Sequence, residues 1–148
     1  DQLGFYYSYE GYHESSLSVY LEYLNNPETA DKEKHYGALY TDIAIQYENL
    51  KNNDEAYRYY NLAVEQDQKG LYTGDYSPSY AYFKRGEFLI KKLGKIEEGL
   101  VDLKKAVEIS PAFYLSRRGD FFHETKEYEK AVEDYVMAIK LAKENEED

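Results

Sequence analysis

The stretch that decides the fold is residues 112–148, AFYLSRRGDFFHETKEYEKAVEDYVMAIKLAKENEED. Apolar residues recur at helical spacing in two blocks, separated by a polar break at 125–127. Leu115, Gly119 and Phe122 share one face of the first block, and Tyr128, Ala131, Val132, Tyr135, Ala138 and Ile139 share one face of the second. Two amphipathic helices with so short a connection make an antiparallel hairpin.

The same grammar repeats upstream. In SPSYAYFKRGEFLIKKLGKIEEGLVDLKKAVEISP, Tyr82, Gly86 and Leu89 precede a break at Gly94, and Ile96, Gly99, Leu103 and Ala106 follow it up to a stop at Pro111. Lys84-Arg85-Gly86-Glu87-Phe88 superposes on Arg117-Arg118-Gly119-Asp120-Phe121. Gly86 to Gly119 is a step of 33 residues, and Gly99 to Ala131 a step of 32. A third copy has Tyr40, Ala44 and Tyr47, a break at Lys51-Asn52-Asn53, then Ala56, Tyr60 and Ala63, with Asp54 as the expected helix cap. Ala44 to Gly86 is 42 residues, so a loop over 69–77 separates these copies. At the start, Gly4, a break at Gly11-Tyr12, and Leu17, Tyr20 and Leu24 outline a further hairpin with a shortened first helix, ended by Asn25-Asn26-Pro27. The expected organisation is one repeat domain over 1–148: a partial repeat at 1–27, full repeats at 36–68, 78–111 and 112–145, and the loop at 69–77. The fold class is all-α, built of antiparallel helix hairpins.

Composition removes several classes of function. The 148 residues include no cysteine, which excludes disulfides, thiolate metal sites and cysteine nucleophiles. Lys and Arg number 18 against 29 Asp and Glu, and the formal net charge of −11 opposes a polyphosphate, so no nucleic-acid partner is expected. The charge is uneven: net −8 over 1–70 (13 acids, 5 bases), +1 over 71–111 (6 and 7) and −4 over 112–148 (10 and 6). No apolar run reaches the 18 to 20 residues of a membrane helix, so no membrane insertion is expected and a soluble, cytoplasmic setting is favoured. The first residue is Asp1, which points to a processed chain or a piece of a longer one. Of 19 tyrosines, 16 lie at or before Tyr82, where a large amphipathic ring suits helix packing and binding surfaces alike.

The alternation of small and large residues resembles the tetratricopeptide repeat family, a 34-residue helix-turn-helix with L-G-x2-Y in its first helix and A-x3-F, then Ala, then Pro in its second. Gly119, Phe122, Tyr128, Ala131, Tyr135 and Ala138 match in the last copy, and Ala44, Tyr47, Ala56, Tyr60 and Ala63 in the first full one. The middle copy keeps Gly86, Gly94, Ala106 and Pro111, with Gly99 and Leu103 where Ala and an aromatic are usual. The resemblance implies hairpins stacked as a right-handed α-solenoid, with protein or peptide binding in a groove lined by the first helices. Carried onto this chain, that groove comprises Thr41, Ile45, Tyr80, Phe83, Lys84, Glu87, Phe113, Arg117, Asp120 and His123.

Some members of this family hold chaperone C-terminal carboxylates with a clamp of Lys, Asn and Arg. Here the clamp asparagines are missing, and only Lys84 and Arg117 could meet a carboxylate, each one turn from an acid, Glu87 or Asp120.

No residue pattern points to catalysis. His13, His35 and His123 lack metal-ligand spacing, Glu97-Glu98 suit the first turn of a helix, and Arg85 and Arg118 have natural partners in the equivalently placed Asp102 and Asp134. The expected function is a protein-interaction module, within a larger protein or assembly, with no enzyme activity, cofactor or metal; homo-oligomerisation stays open. The alternative is a ligand-sensing regulatory domain fused to an effector, followed by a helical enzyme.

Overall fold

The computed structural model describes residues 11–27, 36–69 and 78–146. The shortened first helix expected around Gly4 lies outside them, as does the expected loop beyond Lys69 up to Ser77. The described residues form seven α-helices and no strand: α1 His13–Asn25, α2 Gly37–Asn49, α3 Asn53–Gln68, α4 Ser79–Lys91, α5 Ile96–Ile109, α6 Pro111–Glu124 and α7 Tyr128–Glu146. They belong to two compact units, Asp1–Lys84 and Arg85–Asp148.

The helices break where polar and glycine residues interrupt the apolar period, and the breaks share one geometry. Gly11, Lys51, Gly94 and Lys126 all have positive φ, and each lies two residues before a helix start. After α2, the Lys51 N–H donates to the Glu48 carbonyl and the Asn52 N–H to the Tyr47 carbonyl; after α6, Lys126 and Glu127 donate to His123 and Phe122 in the same way. These paired bonds satisfy the last carbonyls of the outgoing helix while the left-handed residue reverses the chain. The α3 cap is Asn52, whose side chain accepts from the Glu55 N–H at 3.3 Å. Asp54, the cap expected from the sequence, lies two residues further in, within the first turn, where its charge faces the positive helix end.

In the first unit α1 packs on α2 and α2 on α3. Ala44, Ala56 and Ala63 are fully buried and let the α2 and α3 backbones approach, while Tyr60 and Ile43 fill the space beside them. Tyr47 stacks on Tyr59 with ring centres 5.5 Å apart, and the Tyr60 hydroxyl donates to Glu48 at 2.9 Å. Tyrosine is therefore mainly a packing residue here, its hydroxyl reaching polar groups at the hairpin edge.

In the second unit the small residues admit still closer contact. A Cβ on Gly86 would meet the Gly99 carbonyl at 2.9 Å, and one on Gly99 would meet the Gly86 carbonyl at 2.7 Å and Ile90 at 2.4 Å. A Cβ on Gly119 would run into the Tyr135 ring at 2.7 Å. Each hairpin thus pairs a bare backbone with a bulky partner, and Phe88, Leu103 and Phe121 complete a dry interior worth about 1.5–3 kcal/mol per side chain. The expected ion pairs are present. Arg85 donates to Asp102 through Nε and an NH2 group at 2.7 and 2.9 Å, and Arg118 to Asp134 at 2.7 and 2.7 Å, so each holds the two helices of its hairpin together.

Ile90 packs against Gly99, because the missing Cβ there leaves room for it. One sequence expectation changes. On α7 Ala131, Asp134, Ala138 and, partly, Tyr135 face the hairpin, whereas Tyr128, Val132 and Ile139, expected on one face with them, lie on the helix surface.

Candidate functional site

On α6, a helix of 14 residues, Tyr114, Leu115, Gly119, Phe121 and Phe122 turn inward. Phe113, Arg117, Asp120, His123 and Glu124 therefore project from the opposite side. Phe113 is 54% exposed although it is a large apolar ring. The Arg117 guanidinium lies 5.0 Å from its centroid, and the ring meets Tyr114 edge-on at 4.9 Å. Arg117 has no carboxylate partner among the described residues, so its charge is held in place by an aromatic face and stays available. At the other end of the helix, His123 packs edge-on against Tyr128 at 5.5 Å. Beside them an open hollow of about 420 Å³ is lined by residues 126–130.

Acids and one lysine frame this face. Lys91 on α4 bridges Glu87 at 3.2 Å and Glu124 on α6 at 2.6 Å, and lies 5.3 Å from the Phe121 ring centre. Burial pulls the Lys91 ammonium down, and the two carboxylates more than reverse this, so its pKa is raised. Asp120 accepts the Tyr135 hydroxyl at 2.8 Å, and that hydrogen bond raises the tyrosine pKa.

The structure divides the ten residues expected in the groove. Phe113, Arg117, Asp120 and His123 are exposed together on α6, and Glu87 is half-buried beside Lys91. Ile45, Tyr80 and Lys84 are half-buried in the first unit. Two expectations are corrected. Thr41 is fully buried and its hydroxyl donates to the Gly37 carbonyl at 2.9 Å, so it satisfies α2's own backbone. Phe83 is 4% exposed, because α4 turns it inward with Ala81 and Tyr82. It is a core ring and not an anchor. Sequence reasoning missed Lys91 and Glu124, although their separation of 33 residues is one repeat length, which marks them as neighbours on successive first helices.

The remaining histidines give no metal geometry. His13 Nδ1 lies 2.9 Å from Gln46 Oε1 and ties α1 to α2, while His35 lies outside the described residues. No group of three potential metal-ligating side chains occurs among the described residues.

The hairpins, with small residues at their crossings and a chemically mixed exposed face, define a helical-repeat interaction protein. The Tetratricopeptide repeat profile matches residues 38–69, 79–113 and 114–145, and the chain belongs to that family. It is similar to the Hsp70-Hsp90 organizing protein of Triticum aestivum, 31% identical over 137 residues, covering 86% of this chain and 22% of that protein. Hsp70-Hsp90 organizing protein 3 of Arabidopsis thaliana is 29% identical over 137 residues, with 86% and 23% covered. The chain thus spans between a fifth and a quarter of the length of these relatives. Among solved structures it resembles MamA, with a TM-score of 0.65 at 14% identity over 99% of this chain and 78% of the other, a likeness that shows the fold alone. Taken together, the repeats make the chain a protein–protein interaction module. No described helix is long and apolar enough to cross a membrane.

Proposed function

We propose that the exposed face of α6 binds an extended segment of a partner protein, with Phe113 as apolar anchor and Arg117 as the contact for a partner carboxylate. The observation that carries this is the pairing of a large ring, more than half exposed, with a guanidinium that no acid among the described residues neutralises. Glu87, Asp120 and Glu124 flank it and would fix the register of the bound segment through its cations. The relatives are named for Hsp70 and Hsp90, which makes these chaperones the first partners to test.

The carboxylates support a non-catalytic reading: Asp102 and Asp134 are neutralised by arginines, and Glu97 and Glu98 stand exposed in the first turn of α5. The net charge of −11 weighs against nucleic acid as a ligand.

The test is affinity capture with purified Hsp70, purified Hsp90 and a cell extract, with bound proteins identified by mass spectrometry, followed by titration of the verified partner. Arg117→Ala should weaken binding about tenfold at low salt and less at high salt. A partner whose affinity is the same for Arg117→Ala, Phe113→Ala and the parent chain binds elsewhere.

A further inference from the structure

The surface of α7 holds a feature that neither the core nor the α6 face uses. Tyr128, Val132, Val136 and Ile139 are 56, 59, 60 and 56% exposed. At 100° per residue they fall within an arc of about 80°, forming one apolar stripe about 16 Å long. Repeat geometry makes its emptiness informative. Val132 and Ile139 stand one and eight residues after Ala131, where Leu100 and Val107 stand after Gly99 on α5. Leu100 and Val107 are half-covered, and α5 has α6 packed against it. The α7 stripe has the chemistry of a covered helix face, and its four side chains are more than half exposed.

The charges beside the stripe indicate what would cover it. Glu129 and Glu133 flank its N-terminal half, and Lys140 and Lys143 its C-terminal half. Lys130 lies on the far side and is paired with Glu127, while Glu144 lies 4.0 Å from Lys140. If a second α7 is laid antiparallel across the first about Val136, Glu129 comes opposite Lys143 and Glu133 opposite Lys140, twice over. A parallel pair would set this flank against the partner's opposite flank, which carries Ala131, Tyr135 and Ala142 and no charge. The stripe is therefore complementary to itself under a two-fold axis, the condition for a closed dimer contact.

We propose that two copies of this chain associate through their α7 helices, antiparallel, with Tyr128, Val132, Val136 and Ile139 in the shared apolar seam. The contact is one helix pair, at the low end of specific interfaces, below about 1,200 Å² in all, so the dimer is weak, with a dissociation constant on the order of 0.1 mM. It leaves Phe113 and Arg117, on the exposed side of α6, to other partners and does not depend on the function proposed above.

Sedimentation equilibrium between about 10 µM and about 1 mM tests it. The chain should move from a mass of 17.4 kDa toward twice that value. The half-swap Glu129→Lys/Glu133→Lys, which sets lysine against lysine in the pair, should weaken dimerisation at least tenfold. Adding Lys140→Glu/Lys143→Glu to it should restore the dimer, because every antiparallel pair is then opposite in sign again. All these positions are exposed, and unchanged circular dichroism and melting temperature separate lost association from lost fold. A monomer throughout the range, which is also what a stripe reserved for a different protein's helix would give, overturns the proposal. So does a dimer indifferent to the half-swap, or one that the full swap fails to restore.

Discussion

Asp42, on α2, carries a carboxyl that burial has pushed from 3.8 up to about 6. A folded state that holds a proton more tightly than the unfolded chain loses stability as pH rises from the lower value to the upper one, and the loss is complete above it. Asp42→Asn should therefore stabilise the protein by about 1–2 kcal/mol at pH 7.5 and by almost nothing at pH 4, read as the difference between the two urea unfolding curves at each pH. A gain of equal size at both values would place its cause outside this carboxyl. The arginine pairs make a second case at this scale. Arg85–Asp102 and Arg118–Asp134 occupy positions where the first full repeat has Ile43 and Tyr59, both buried, so a hairpin of this kind also closes without charge. Arg118→Met should cost about 3 kcal/mol because it leaves the Asp134 carboxylate buried alone, and adding Asp134→Leu should bring stability back to within about 1 kcal/mol of the parent. Denaturant midpoints check both. These ion pairs were legible in the sequence, since each arginine and each aspartate recurs at the repeat spacing. The burial of Asp42 was not, because it depends on how α1 and α2 pack and no period announces it.

Helix positions followed from the apolar period, and the three hairpin turns lie where the polar breaks fall. Their internal geometry was only partly readable. Gly94 is an ordinary left-handed residue, whereas Lys51 and Lys126 reach φ of 61° and 65° with side chains that disfavour it, and nothing in a lysine marks such a position. Lys126→Gly should then stabilise the fold by about 0.5–1 kcal/mol, since glycine enters this region without a Cβ clash. A fall in melting temperature would mean that the Lys126 side chain contributes more than its strain costs. The packing code makes the opposite kind of prediction. Ala131 is buried at the crossing of α6 and α7, and Ala131→Leu should overpack that contact by about 1–3 kcal/mol. An unchanged melting temperature would contradict the register of the last hairpin.

For the molecule as a whole, fold and site were unequally legible, and for a physical reason. A repeat is recorded several times over in one sequence, so alignment of the copies exposes small residues that meet, as Gly119 meets Tyr135 and Gly86 meets Gly99. A binding face is whatever the packing leaves uncovered. Phe83 and Phe113 look alike in sequence, both aromatic and both early in a first helix. Yet Phe83 is 4% exposed and Phe113 54%: the 33-residue step sets Phe83 against Ser116 and Phe113 against Tyr80, so the two rings stand at different places in the repeat. That contrast supplies the most direct test of the central claim, that the module binds its partner through the open face of α6. The measurement is the affinity of the captured partner for Phe113→Ala and Phe83→Ala by isothermal titration calorimetry, with each melting temperature alongside. Phe113→Ala should lose about 1–3 kcal/mol of binding while melting like the parent chain. Phe83→Ala should lose about 3–5 kcal/mol of stability through the cavity it opens and, below its melting point, bind as the parent does. Parent-like affinity in Phe113→Ala, or a loss of binding confined to Phe83→Ala at full folding, would contradict the account.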